Sequence, residues 1–97
     1  MATVPTFTDL NFGPRKNGLT GVQAWHDFDN GYAASIIRGN GTYGEETGLY
    51  ELAVIADGRC CYSTPVTDDV LGHLSEQDVT DALAQIAALS AYVGKAA

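Results

Sequence analysis

Basic side chains are scarce in this chain: five Lys and Arg stand against twelve Asp and Glu, a net charge of −7. Phosphate backbones are held by Lys and Arg, so nonspecific binding of nucleic acid is not expected. A surface that imitates nucleic acid is compatible with the same balance. Cysteine is nearly absent. The two present, Cys60 and Cys61, are neighbours, and in a strand they point to opposite faces, which suits neither a disulfide nor a chelate. A reducing, cytoplasmic setting is expected, and without a second Cys cluster a structural zinc site is not. No apolar run approaches a membrane span. The opening MATVPTFTDL lacks the basic and apolar parts of a secretory leader, so none is expected. Internal repeats, low-complexity tracts and linkers are missing too.

What remains is a globular composition. With 97 residues, 45% of them hydrophobic, the chain suits one domain, 1–97, around one core. Its organising stretch is LYELAVIADGRCCY, Leu49–Tyr62. Asp57-Gly58 between β-rich runs is a strong hairpin signal, because a two-residue type I′ turn needs two positive φ values. Upstream, Thr6–Phe12 alternates as an edge strand, and Gly13-Pro14 ends it. Pro14–Gly21 is a loop carrying Arg15 and Lys16. Val22–Phe28 and Tyr32–Arg38 are strands separated by Asp29-Asn30-Gly31, where Asn-Gly suggests a type I′ turn. Gly39–Gly48 is a glycine-rich connection. Ser63–Leu74 reads as irregular, with Gly72 breaking any helix.

Ser75 opens the one helix. It is an N-cap residue with Asp78 three positions on, a form of the capping box, and Glu76 and Asp78 favour the positive end of the helix dipole. Val79, Ala82, Leu83, Ile86, Leu89, Ser90 and Val93 recur at helical spacing, and Gly94 suits the end. Strands first and one helix last indicate an α+β domain. The spacing predicts an antiparallel meander of four to five strands with one C-terminal helix across one face. A single helix covers one face, yet the strands are apolar on both. Tyr50, Leu52 and Val54 share one side; Ala53 and Ile55 share the other, and Trp25 lies opposite Val22 and Phe28. Loops, a partner or a second copy of the chain must cover that side, and a homodimer is expected.

The spacing gives no catalytic constellation. GNGTYG, Gly39–Gly44, fits G-x-G-x-x-G, but a dinucleotide site needs that pattern to open a helix in a βαβ unit. Here Glu45 and Glu46 follow, and then another strand. The loop reads instead as a bending tip that presents Tyr43. His26 and His73 have no supporting spacing to Cys60, Cys61 or Ser35. His26 falls on the apolar side of its strand as a core or edge residue; His73 caps or packs. Asp68 and Asp69 form an acidic turn open to a basic partner or a hard cation, without an EF-hand pattern. No catalytic residue, cofactor or metal is assigned. The candidate partner-binding residues are Trp25, Tyr43, Glu45, Glu46, Asp68 and Asp69.

NGYAASIIRG at Asn30–Gly39, TYG at Thr42–Gly44, GLYELAV at Gly48–Val54, Asp57-Gly58, Cys61-Tyr62 and TPVTDDVLGHLSEQDV at Thr64–Val79 together carry a resemblance. The chain resembles a group of small proteins encoded by tailed bacteriophages. That resemblance implies a phage origin and the cytoplasm of the bacterial host. It brings no known activity and no site residue. The expectation is a non-enzymatic protein that binds a host, defence or phage protein. The alternative is a module that sequesters a small molecule or nucleotide at a dimer interface.

Overall fold

Asp57 and Gly58 turn the chain with φ of 55° and 75°, both positive as a type I′ turn requires. The computed structural model describes residues 4–14, 21–39, 48–60 and 71–92. Around this turn β4 (Tyr50–Ala56) pairs with the short β5 (Arg59–Cys60), Ala56 opposite Arg59 and Ile55 opposite Cys60. On its other side β4 pairs with β3 (Tyr32–Arg38), and β3 with β2 (Val22–Asp27), both antiparallel and in unbroken register. At one edge β1 (Gly13–Pro14) pairs with the first two residues of β2. At the other, β6 (Leu71–Leu74) also pairs with β4, giving an antiparallel α+β sheet of six strands. The helix α1, Glu76–Ala87, lies across one face.

The period-2 pattern decides what meets the helix. Ala34 and Ile36 from β3 and Leu52 and Val54 from β4 close on Val79, Ala82, Leu83 and Ile86 from α1, forming one buried cluster. The helix begins as its sequence demands. Ser75 Oγ accepts from the Asp78 N–H at 3.1 Å, and Asp78 Oδ2 accepts from the Ser75 N–H at 3.1 Å, the reciprocal capping box. No helix among the described residues is long and apolar enough to cross a membrane.

Four expectations are corrected. Thr6–Phe12 is not an edge strand: Phe7–Asp9 is a 3-10 turn, and the edge strand is Gly13–Pro14, the pair expected to end it. A strand would send Phe7 and Phe12 to opposite faces, whereas the turn brings both rings to Tyr50, at 5.0 and 5.6 Å. Asp9 Oδ2 holds the turn by accepting from the Thr6 N–H at 2.8 Å and the Thr6 hydroxyl at 3.1 Å. Those bonds, the backbone one foremost, keep the Asp9 carboxyl below its ordinary pKa. What they contribute is present at neutral pH and lost as pH falls through that lowered titration. The segment is anchored to α1 by the Phe7 N–H, which donates to Thr80 Oγ1 at 2.9 Å.

Leu71–Leu74, expected as irregular, is a strand. It pairs Leu74 with Tyr50 and Leu71 with Leu52, so an extra residue interrupts the register. His73 takes up the distortion at φ 57°. A regular strand would place residues three apart on opposite faces; the bulge lets both Leu71 and Leu74 reach the core. A bulged strand hides its periodicity, which is why the sequence did not show it.

The third correction is the β2–β3 turn. Gly31 has φ 90°, but Asn30 is not among the positive-φ residues, so this is no type I′ pair. Phe28 donates to the Tyr32 carbonyl at 2.8 Å across three residues, a hairpin whose glycine takes the left-handed position. The fourth correction follows from it. The helix stops at Ala87 rather than near Gly94, because the turn meets it there. Asn30 Nδ2 donates to the carbonyls of Ile86 (2.8 Å) and Leu89 (3.2 Å), while Asn30 Oδ1 accepts from the Tyr32 N–H at 3.1 Å. The Tyr92 N–H returns to the Asn30 carbonyl at 2.7 Å. One side chain thus satisfies two carbonyls at the helix end. Of the expected stripe, Ser90 is exposed, and Val93 lies outside the described residues.

Asn30→Ala should therefore cost about 1–3 kcal/mol, the range for stranding partly buried hydrogen-bonding groups. Asn30→Asp should be no better, since it removes the donor and sets a carboxylate at the negative end of the helix dipole. Urea melts of the two variants check this; an Asp variant as stable as the wild type would overturn the helix-end role.

Candidate partner-binding surface

The helix leaves the second sheet face to itself. The register places Gln23, Trp25 and Asp27 of β2, Ala33, Ser35 and Ile37 of β3, and Glu51, Ala53 and Ile55 of β4 on that outer face, with Cys60 beside Ile55. Ala33, Ser35 and Ile55 are buried at 5, 9 and 7% exposure, whereas Trp25 is 50% exposed. The indole is nevertheless oriented: its Nε1–H donates to Asp27 Oδ1 at 3.0 Å. Next to it, Gln23 Nε2 donates to Ser35 Oγ at 2.9 Å. Trp25 and Val4 are the exposed large apolar residues among those described.

Trp25 also stands on the rim of the sheet. Phe28 and Tyr32 hold a hydrogen-bonded position of the β2–β3 ladder. Antiparallel positions alternate, so His26 and Ala24 bond to β3, while Gln23, Trp25 and Asp27 turn their N–H and C=O groups away from it. Gln23 meets Gly13 of β1. Beyond Gln23 the N-terminal segment departs towards Tyr50 on the helix face. Among the described residues no strand pairs with Trp25 or Asp27 on that side.

Of the six expected binding residues, Trp25 is placed on this surface. Tyr43, Glu45, Glu46, Asp68 and Asp69 lie outside the described residues, as do Gly41 and Gly44 of the glycine-rich loop. The strands flanking that loop, β3 and β4, are antiparallel, whereas a dinucleotide fold needs them parallel. Asp27 was not among the candidates. Its i, i+2 spacing from Trp25 was the available signal, but the rim position that gives the pair its interest was not in the spacing.

The pairings of His26 with Ser35 and Cys60 fail on geometry, and Cys61 lies outside the described residues. His26 is on the helix face, half-buried, its ring edge-on to Phe28 at 4.7 Å; Ser35 and Cys60 belong to the outer face. His73 is exposed in the β6 bulge. Among the described residues no group of three or more His, Cys, Asp or Glu is arranged to hold a metal ion. No protein-family model, curated protein or solved structure matches the chain.

Proposed function

We propose that this chain is a non-enzymatic binding protein whose contact surface is the outer sheet face at Trp25. The observation that supports the reading is the half-exposed indole on a face whose neighbours Ala33, Ser35 and Ile55 are buried. An aromatic oriented by Asp27 yet open to water is the kind of anchor that dominates protein interfaces. With the phage resemblance, the partner is a host, defence or phage protein met in the infected bacterial cytoplasm, and the excess of acid favours a basic one. A second reading is a symmetric homodimer, in which two copies meet through the Trp25 side of this face; the same exposed indole supports it, while the burial of Ala33, Ser35 and Ile55 within one copy and the net charge of −7 oppose it.

The test places a photo-crosslinking amino acid at position 25 and irradiates infected cells. The expected product is an adduct with a different protein, absent when the crosslinker sits at exposed Ala84 on the helix. An adduct of two copies of this chain establishes the homodimer instead. If only small molecules co-purify on native mass spectrometry and no adduct forms, the sequestering alternative replaces both. Capture by the wild-type chain should fail for Trp25→Asp. That variant should stay folded, losing about 1 kcal/mol for an acidic residue in place of an aromatic one in a strand, so that lost capture is not lost folding.

A further inference from the structure

The rim of the sheet carries more than the face does. Trp25 and Asp27 each direct an N–H and a C=O outward, and among the described residues no strand lies beside them. The stretch Ala24–Asp27 is regular, without a bulge, proline or lysine. Those are among the devices by which edge strands are ordinarily blunted, and the one charge on this stretch is Asp27. We propose that this edge takes an extended, cationic peptide segment of the partner as an added antiparallel strand. The inference rests on the binding reading above and names the chemistry of its partner.

Backbone pairing supplies the docking, and side chains supply the choice. A peptide residue directly opposite Trp25 or Asp27 shares their face of the sheet. There it meets an indole surface and a carboxylate already joined at 3.0 Å. The indole Nε1–H occupies Oδ1 and leaves Oδ2 for a second donor. An arginine or lysine at that position lies over the ring and pairs with the carboxylate at once. Asp29 adds a further negative charge just beyond the strand. The two described arginines are elsewhere: Arg38 pairs opposite Val22 and lies over the Tyr50 ring at 5.0 Å, and Arg59 is on β5 at the other side of the sheet. A second copy would bring another chain of net charge −7 against this acidic edge, so charge selects a basic segment over self-pairing.

Trp25 is the chain's single tryptophan, so its fluorescence reports on this edge alone. The probes are a short synthetic peptide alternating arginine and valine, its glutamate and valine counterpart, and the arginine peptide N-methylated at alternate residues along one edge. The arginine peptide should shift Trp25 emission with an affinity about tenfold or more above the glutamate peptide. N-methylation, which removes strand donors but keeps the charge, should cost about tenfold. Asp27→Asn should narrow the preference for arginine, since Trp25 and Asp29 remain, while keeping strand-dependent binding.

Equal binding of the methylated and unmethylated peptides would overturn the added strand, and equal binding of the arginine and glutamate peptides would overturn the cation preference. A chain that light scattering finds dimeric, with Trp25 shielded from quenchers, would show that a second copy holds the edge. If the peptides fail while the crosslinker at position 25 still captures a heterologous protein, the edge inference falls and the binding reading stands. If both fail, both fall.

Discussion

Leu52→Ala and Ile86→Ala should each lower stability by about 2–5 kcal/mol, the cost of emptying a buried large side chain. Both side chains are fully buried, at 0% exposure, and belong to one cluster. Leu52 is the sheet's contribution, paired opposite Ile36; Ile86 is the helix's, in its last turn. The cavity term dominates because neither site can collapse: the unbroken register fixes β4, and Asn30 fixes the last turn of α1. A domain of this size has only about 5–15 kcal/mol to lose, so either variant should show a large drop in the urea midpoint. A loss below about 1 kcal/mol, well under the range for buried leucine or isoleucine truncation, would mean that helix and sheet are wrongly paired. Val4→Ala, at an exposed site, is the control and should fall within about 0.5 kcal/mol of wild type.

Gly21→Ala should rival these core changes without touching the core. Gly21 enters β2 at φ 96°, and a Cβ built there would lie 1.9 Å from the Arg38 carbonyl oxygen and 2.5 Å from the Gly39 Cα. Both obstacles are backbone, so no rotamer relieves them. The left-handed conformation costs about 1–2 kcal/mol for a residue with a Cβ. Forcing the strands apart adds about 1–3 kcal/mol by analogy with overpacking. Gly58→Ala tests the first of these terms alone, since its φ is 75° but nothing lies within 4 Å of its Cβ. Gly13→Ala tests neither: its φ is ordinary and its surroundings are open. The expected order of loss in denaturant melts is Gly21, then Gly58, then Gly13. Equal losses at Gly21 and Gly58 would refute the close approach to Arg38.

Much of the sheet was legible in the chain because its signals are local. Alternation over Tyr50–Ala56 assigned each residue to a face, and the register bears out that assignment. Asp57-Gly58 specified its own turn, as both residues had to adopt positive φ. Ser75 and Asp78 marked the helix start, three residues apart in any context. Where the outcome depended on a distant partner, spacing gave no warning. The N-terminal phenylalanines turn because Tyr50 and α1 are there to receive them. Leu71–Leu74 is a strand because β4 offers it an edge, at the expense of a bulge at His73. The candidate surface divides the same way: alternation alone set Trp25 and Asp27 side by side, but not that no described strand pairs with their edge.

The sequence by itself determined which residues face the helix, where the Asp57-Gly58 hairpin turns, and where α1 begins, since each follows from neighbours within about four positions and the periods of strand and helix. Only the tertiary structure decided where α1 ends and which strand lies at the rim. Those outcomes rest on Asn30 reaching the Ile86 carbonyl across 56 positions, and on the N-terminal segment leaving β2 after Gly13 to pack Phe12 on Tyr50. A hydrogen bond or ring contact between residues so far apart has no period to leave in the chain; it exists only once the core has brought them together.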